Sequence, residues 1–442
     1  MAPWTVPFTV CLLTSLCSAA VNVRKTSKGP TGYEVDFSYF DSSATTVAIG
    51  GGLPTFTDEF HTNPDGSAHW DPHQYQPGWF PGTSLNVTPY RMNSNGNGSW
   101  TYTMPLPSGT YTYAFQVNCV QAKCTNVVDP DNAPFVNVQG DQLVSHFQVP
   151  FDRQFQSYAD LNLNFDYALP APKEQRGIIR NVNYSSPGSV HPAPDVHDFV
   201  VYLPPGYSNS TAGKNYPILY LSHGGWGNGQ EWENLGATSQ ILDNLISQKH
   251  LEPTVVVMPS FYNLAPEYKF VYGSEPLNHP GSDFIRKIYM EYLFPYIEAN
   301  FAVSTDPKRR AFGGFSLGSS LTYEMYINNT DYFSYFGMFS GAVGPLLPRY
   351  SLLNSSMLQA NPALKEKGIF TSAGLFDLAL PDTRMFQAAM QSLGVPFVSR
   401  IEPWGFHVWN TWQDSLWQFG KLVLWKELPR QSNGTVTSGA RP

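Results

Sequence analysis

Gly313-Gly314-Phe315-Ser316-Leu317-Gly318-Ser319-Ser320 decides how the rest of the 442-residue chain is read. Its centre, Gly314 to Gly318, is a G-x-S-x-G pentapeptide, the pattern of a nucleophile elbow. Such an elbow is a sharp turn from a strand into a helix that lifts a serine hydroxyl clear of the sheet. The glycines on either side let the backbone pass close to itself where a Cβ would collide. Five residues are weak evidence alone, but the flanks add to them. Ala311-Phe312 is a short apolar stretch suited to a strand end, and Leu317 to Asn328 is helix-compatible and free of proline.

Outward from this turn, strands and helices alternate from about residue 179. Phe199-Val200-Val201-Tyr202-Leu203 reads as a strand closed by Pro204-Pro205-Gly206. Residues 217–221 form the next, running into Ser222-His223-Gly224-Gly225-Trp226-Gly227. Residues 238–247 suit a helix. Residues 254–259 are continuously apolar, as a strand buried on both faces requires. Ser282-Asp283 opens an amphipathic helix to Asn300. Beyond the elbow, strands are expected near 338–340, 369–372 and 397–400, with a closing helix over 412–425. This order predicts an α/β domain over residues 179–430, with its serine after a central strand.

A nucleophilic serine needs a base, the base needs an orienting acid, and the oxyanion needs donors. In an elbow enzyme the chain order is serine, acid, histidine. His407 is the sole histidine after Ser316, which leaves it as the base. For the acid, Asp377 directly follows a strand and is preferred; Asp382, behind Pro381, is the alternative. The Leu317 amide is one expected oxyanion donor, and Gly225 or Trp226 supplies the second. His223 is read as structural, since a base there would break the order. Trp226 and Phe406 adjoin these elements and are candidate substrate walls, among loops that also carry Trp232, Trp404 and Trp409; Trp232 and Trp409 are expected to pack the loop bases.

These residues carry a resemblance. YPILYLSHGGWGNGQEW, FGGFSLGSSLTYEM, TSAGLFD and GFHVWNTWQDSL, in that order, resemble the putative-esterase family over about residues 180–428. That family includes feruloyl and acetyl xylan esterases of carbohydrate esterase family 1, enterobactin esterase, S-formylglutathione hydrolase and the mycolyltransferases. The resemblance implies an α/β-hydrolase fold, with Ser316 as nucleophile, Asp377 as acid and His407 as base. The usual Gly-His ending is interrupted here by Phe406, a departure that concerns the shape of the pocket. A feruloyl or acetyl xylan esterase is the reading implied. An acyltransferase or a siderophore esterase of the same fold is the alternative, and a non-catalytic carbohydrate-binding protein a more distant one.

Residues 21–150 read as all-β. Residues 33–40 alternate, 45–49 are β-branched, and 99–104 and 110–117 flank a Pro107-Ser108-Gly109 turn. Short strands between Gly/Pro turns point to a small sandwich. GSWTYTMPLPSGTYTYAFQV followed by DPDNAP resembles the immunoglobulin-like modules of isoamylase N-terminal or glycogen-binding type, which implies a module of the kind that precedes polysaccharide-active domains. Trp70, Trp79, Phe80 and Trp100 are candidates for stacking on sugar rings, or for packing against the next domain, the reading preferred here. Residues 151–178 lack periodicity and read as a connector; 431–442 read as a tail.

Residues 1–20 read as a secretory leader: residues 6–16 are mostly apolar and Ser18-Ala19-Ala20 suits cleavage. The run is too short to span a bilayer, and no later stretch is long and apolar enough. Removing the leader takes Cys11 and Cys17 with it, and an oxidising compartment then pairs Cys119 with Cys124 in a disulfide. Sequons at Asn86, Asn97, Asn183, Asn209, Asn328, Asn354 and Asn433 fit a secreted glycoprotein. A net charge of −8 without basic clusters argues against nucleic acid. No His/Cys/carboxylate cluster has ligand spacing, so neither metal nor cofactor is expected. The expected partner is an ester substrate.

Overall fold

The interior strands of this chain are of two kinds: one buries alternate residues, the other buries both faces. The computed structural model describes residues 19–50, 55–57, 71–82, 89–119, 126–132, 136–138, 142–158, 163–209, 215–270, 278–341 and 352–427. The alternating kind makes the front module, whose strands are β1 (Ala19–Lys25), β2 (Tyr33–Phe40), β3 (Val47–Gly50), β4 (Thr55–Thr57), β5 (Phe80–Gly82), β6 (Tyr90–Arg91), β7 (Asn93–Ser94), β8 (Ser99–Pro105), β9 (Gly109–Val117), β10 (Asn126–Val127), β11 (Val136–Val138) and β12 (Gln142–Val149). One sheet has the order β1-β2-β8-β7 and the other β11-β12-β9-β3-β6, with β10 beside β9. In β2 the inward set is Val35, Phe37 and Tyr39, which meets Tyr111, Tyr113 and Phe115 of β9. Phe37 and Tyr113 stand edge to face at 5.5 Å.

Trp100 corrects its expectation: it is buried in the module's own core, neither facing a sugar nor packing against the next domain. It is on β8, opposite Tyr39, so its indole follows the inward set. Trp79 packs against the same core. Trp70 lies outside the described residues. So do Asn86, Asn433, Cys124, Cys11, Cys17 and most of the expected leader; β1 begins at Ala19, inside the 1–20 boundary. Asn97, Asn183, Asn209, Asn328 and Asn354 are exposed.

The expected connector is more than a spacer. Its short helix α1 (Arg153–Gln156) presents Gln156, which accepts from the Ser108 N–H at 2.8 Å and donates to the Thr31 carbonyl at 2.7 Å. Further on, Tyr167 stacks on Trp417 at 5.1 Å and Phe165 meets Trp404 edge-on at 5.2 Å, so this stretch belongs to the core of the second domain. Leu163, Phe165 and Tyr167 do alternate at the strand period, a pattern too short beside the prolines that follow to mark an element.

The second domain contains β13 (Ile178–Ser185), β14 (Val196–Leu203), β15 (Ile218–Ser222), α2 (Glu231–Asn234), α3 (Thr238–Ser247), β16 (Val255–Pro259), α4 (Ser282–Ile288), which continues through a π-turn into α5 (Phe294–Asn300), β17 (Arg310–Phe315), α6 (Leu317–Asn328), β18 (Tyr335–Phe339), α7 (Ser355–Ala360), β19 (Gly368–Gly374), α8 (Leu380–Ser392), β20 (Val398–Glu402) and α9 (Trp409–Leu422). Its sheet has the order β13-β14-β16-β15-β17-β18-β19-β20. β13, β14 and β16 pair antiparallel, and all pairs from β16 through β15 to β20 are parallel. Ile218 and Tyr220 of β15 pack into one core, Leu219 and Leu221 into the other. Val255 and Val257 of β16 divide from Val256 and Met258 in the same way. Apolar residues on both faces are what a sheet covered by helices on both sides demands. The fold is an α/β-hydrolase domain preceded by an all-β sandwich.

Candidate active site

The elbow forms because its glycines leave no choice. Phe315 ends β17, Leu317 starts α6, and Ser316 between them has φ +53° and ψ −119°. A non-glycine residue at positive φ is strained and persists only when its surroundings hold it. They do: the Ser316 N–H donates to the Phe339 carbonyl at 3.0 Å, and its carbonyl accepts from Ser319 and Ser320. A Cβ on Gly314 would stand 2.8 Å from the Gly318 backbone and from the Ser222 carbonyl oxygen; one on Gly318 would stand 2.4 Å from the His223 carbonyl oxygen. The Leu317 amide is at the first position of α6, where no carbonyl of the helix can reach it.

The loop after β15 packs directly on this turn. A Cβ on Gly224 would meet the Phe315 ring at 2.4 Å, and one on Gly225 would meet Leu317 Cδ1 at 3.2 Å. Gly225 and Leu317, the two expected donors, are therefore neighbours. His223 is buried and keyed into the loop. Its Nε2 accepts from the Phe261 N–H at 3.2 Å, so Nδ1 carries the proton and donates to the Gly224 carbonyl at 2.7 Å. In a trans peptide the carbonyl and the following N–H point in opposite directions, so this bond also fixes the Gly225 N–H. Burial pushes the His223 pKa down to about 3, which keeps the ring neutral. The Trp226 N–H donates to Tyr262 Oη at 3.1 Å, which leaves Gly225 as the available second donor.

His407 and Asp377 arrive from the ends of neighbouring strands. Asp377 follows β19 and His407 follows β20, and the Phe376 N–H donates to the Gly405 carbonyl across the two loops. His407 Nδ1 lies 2.9 Å from Asp377 Oδ1. That oxygen also accepts from the Ala379 N–H at 2.8 Å. Burial raises the Asp377 pKa, but the bond and charge of His407, the Ser340 hydroxyl nearby and the Ala379 amide outweigh it, so the net shift is downward. Asp382 is instead in the first turn of α8, where burial raises its pKa. The carboxylate that His407 meets is Asp377, and Asp382 contributes to the helix terminus. One indole ties this pair to the elbow: Trp412 stacks on Phe315 at 3.8 Å, meets His407 edge-on at 5.0 Å, and donates from Nε1 to Ser340 Oγ at 2.9 Å.

The aromatic residues divide. Trp226 has 46% of its surface exposed and stands edge to face with His279 at 5.4 Å. Phe406 is partly buried and tilts against Phe376 at 5.6 Å. Trp232 is fully buried, with Nε1 donating to the Ser222 carbonyl, and Trp409 packs among Trp232, Phe315 and Trp412. Trp404, expected on the loops over the site, is buried against Phe165. Ser340, Trp412, Tyr262 and His279 were not singled out from sequence. They come from four separate segments, and only strand order brings them to the same edge. Among the described residues, no group of three or more His, Cys, Asp or Glu could hold a metal ion, and no helix is long and apolar enough to cross a membrane.

Comparison with known proteins identifies the family and the fold. The chain is 37% identical over 144 residues to an endo-1,4-beta-xylanase/feruloyl esterase of Xylanibacter ruminicola, a stretch covering 32% of this chain and 19% of that protein. It is 33% identical over 155 residues to endo-1,4-beta-xylanase Y of Acetivibrio thermocellus, covering 32% of this chain and 12% of the relative. The match thus spans less than a fifth of either relative's length. Among solved structures, a CE1 ferulic acid esterase from Anaeromyces mucronatus shares the fold with TM-score 0.51 at 19% identity, over 60% of this chain and 98% of that one. The enterobactin esterase of Shigella flexneri does so with TM-score 0.50 at 14% identity, over 88% of this chain and 92% of that one. The Putative esterase family matches residues 195–423, just over half of the chain, and the protein belongs to that family.

Proposed function

We propose that this protein is a secreted serine carboxylic-ester hydrolase acting on feruloyl or acetyl esters of plant cell-wall polysaccharide. The observation that carries the reading is the strained Ser316 elbow, joined through Phe315 and Trp412 to the His407–Asp377 pair at 2.9 Å. In this reading Ser316 Oγ attacks the ester carbonyl while His407 Nε2 takes its proton. Asp377 accepts from Nδ1–H, fixes that tautomer and stabilises the imidazolium. The oxyanion receives the N–H groups of Leu317 and Gly225. The alkoxide leaves with the proton from His407, and water releases the acyl group by the same steps in reverse.

The cell-wall substrate is supported by the relatives, one named endo-1,4-beta-xylanase/feruloyl esterase and the other endo-1,4-beta-xylanase Y, and by the exposed Trp226 ring, which suits a planar acyl group. Secretion, glycosylation at the exposed sequons and the Cys119–Cys124 disulfide belong to the same proposal. A siderophore esterase is a second reading, because the enterobactin esterase shares the fold across both domains. The test is a panel of methyl ferulate, acetylated xylan, a triscatecholate siderophore and a long-chain ester, with and without an alcohol acceptor. Ferulate or acetate turnover abolished by Ser316→Ala supports the proposal. Turnover of the siderophore alone moves the assignment, acyl transfer to the alcohol makes the protein a transferase, and near-normal activity in Ser316→Ala removes the serine mechanism.

A further inference from the structure

Trp226 is a second strained residue beside the elbow, with φ +59°. A bulky residue adopts that conformation when something on the far side holds the backbone. The holder is Tyr262, whose hydroxyl accepts the Trp226 N–H at 3.1 Å and shares a 2.6 Å hydrogen bond with His279 Nδ1. Tyr262 cannot drift. Its ring is fully buried, packed against Phe261 at 4.9 Å and Phe270 at 4.7 Å, and its carbonyl is bound by His197 Nε2 at 2.7 Å. The meeting of positions 226 and 262 follows from topology: β15 and β16 are adjacent parallel strands, and the two loops leave the same edge.

We propose that Tyr262 is a positioning residue for the oxyanion loop, held in register by His279. The proposal rests on the reading of Ser316 as nucleophile and Gly225 as donor. The bond from the Trp226 N–H fixes the peptide between residues 225 and 226, as His223 fixes the one between 224 and 225. Gly225 has no side chain to limit its rotation, so the clamp on the 225–226 peptide reinforces, from the other side, the direction that His223 gives the Gly225 N–H. A tyrosine hydroxyl has one proton. Having accepted from Trp226, it is satisfied by donating to His279 Nδ1, with the histidine proton on Nε2. His279 is exposed and also meets the Trp226 ring edge-on at 5.4 Å, so the same side chain that orients the hydroxyl braces the aromatic wall.

The test compares Tyr262→Phe, His279→Leu and His279→Asn in the full chain, using whichever ester of the panel the parent turns over. Loss of a whole oxyanion donor costs about 10²–10³-fold in kcat. A donor present but loosened by Tyr262→Phe is expected to cost about 10-fold in kcat, with KM within about twofold, because the oxyanion forms only in the transition state. His279→Leu is expected to lower kcat by a smaller factor, and His279→Asn, which keeps an acceptor near Nδ1, to restore it. A merely structural role would lower melting temperature without this split between kcat and KM. Unchanged kcat in Tyr262→Phe overturns the proposal. If Tyr262→Phe does not fold, equal kcat in parent, His279→Leu and His279→Asn overturns it. A parent inert on every ester would instead sink the esterase reading itself.

Discussion

The two β architectures differ in where they can carry chemistry. In the front sandwich, β2 buries one face and exposes the other, so its structural information lies along the strand. In the hydrolase sheet, β15, β16, β17, β18 and β19 are buried throughout, and no side chain along them is free to meet a substrate. What remains available is the carboxyl edge, where parallel strands deliver their loops together. His223 to Trp226 follow β15, Ser316 follows β17, Ser340 follows β18, Asp377 follows β19 and His407 follows β20. A site assembled from strand ends inherits the rigidity of a doubly covered sheet.

The comparison breaks if the site is not confined to that edge. The largest expected effect separates the two acids. Asp377→Asn is expected to lower kcat about 10⁴-fold, because the histidine then holds the wrong tautomer, whereas Asp382→Asn stays near the parent value. The reverse pattern in steady-state kinetics would place the acid on α8.

Next come the cores. Phe312 and Phe37 are equally buried, one in each domain, and truncating either to Ala is expected to cost about 3–5 kcal/mol. The outcomes should diverge: Phe312→Ala lowers the temperature at which ester turnover is lost, while Phe37→Ala destabilises the sandwich first. Denaturation followed separately by activity and by far-UV circular dichroism would resolve them, and identical losses of activity would mean that the domains unfold as one unit. A smaller effect sharpens the same point. Gln156→Ala leaves the Ser108 N–H and the Thr31 carbonyl without the amide that joins them, at a cost of about 1–3 kcal/mol. The sandwich should melt earlier, with kcat unchanged.

The gentlest probe is pH. Burial lowers the pKa of His223 to about 3 and lowers that of His197, so the unfolded chain binds protons before the folded one. Stability of the hydrolase domain is therefore full above the unfolded histidine pKa of about 6.5. It falls below that at up to about 1.4 kcal/mol per pH unit for each histidine. The depressed Asp377 pKa acts later: its contribution persists above the ordinary carboxylate range and is lost as pH falls through the lower folded value. A melting temperature for this domain that is flat between pH 7 and 4.5 would contradict the burial of two neutral histidines.

The elements legible in the sequence are those whose burial is written locally. Residues 254–259 and 199–203 read as strands because every side chain but that of Thr254 is apolar or aromatic, and β16 and β14 form there. Residues 238–247 read as a helix, and α3 has those bounds. β13 was missed because it is an edge strand with mostly exposed residues, defined by its pairing with β14 rather than by its own pattern. α8 was missed because Pro381 reads as a breaker, although proline is well tolerated in a helix's first turn. In the site, Ser316, Asp377 and His407 were legible because elbow, order and strand ends are sequence properties. Ser340, Trp412, Tyr262 and His279 were not, because each acts through a partner that only sheet order makes its neighbour. The aromatic residues show the same limit: Trp226 and Trp404 look alike in the chain, yet one stands half exposed at the site and the other fills the core against Phe165.

In the proposed mechanism the strained elbow presents Ser316 as the activated nucleophile. Covalent trapping tests it most directly: the folded protein is treated with a fluorophosphonate, and the adduct is located by peptide mass spectrometry. One phosphonyl group per chain is expected, on Ser316, with loss of ester turnover in proportion to labelling and no adduct in Ser316→Ala. An adduct on another residue, or full ester turnover in protein quantitatively labelled at Ser316, would contradict it.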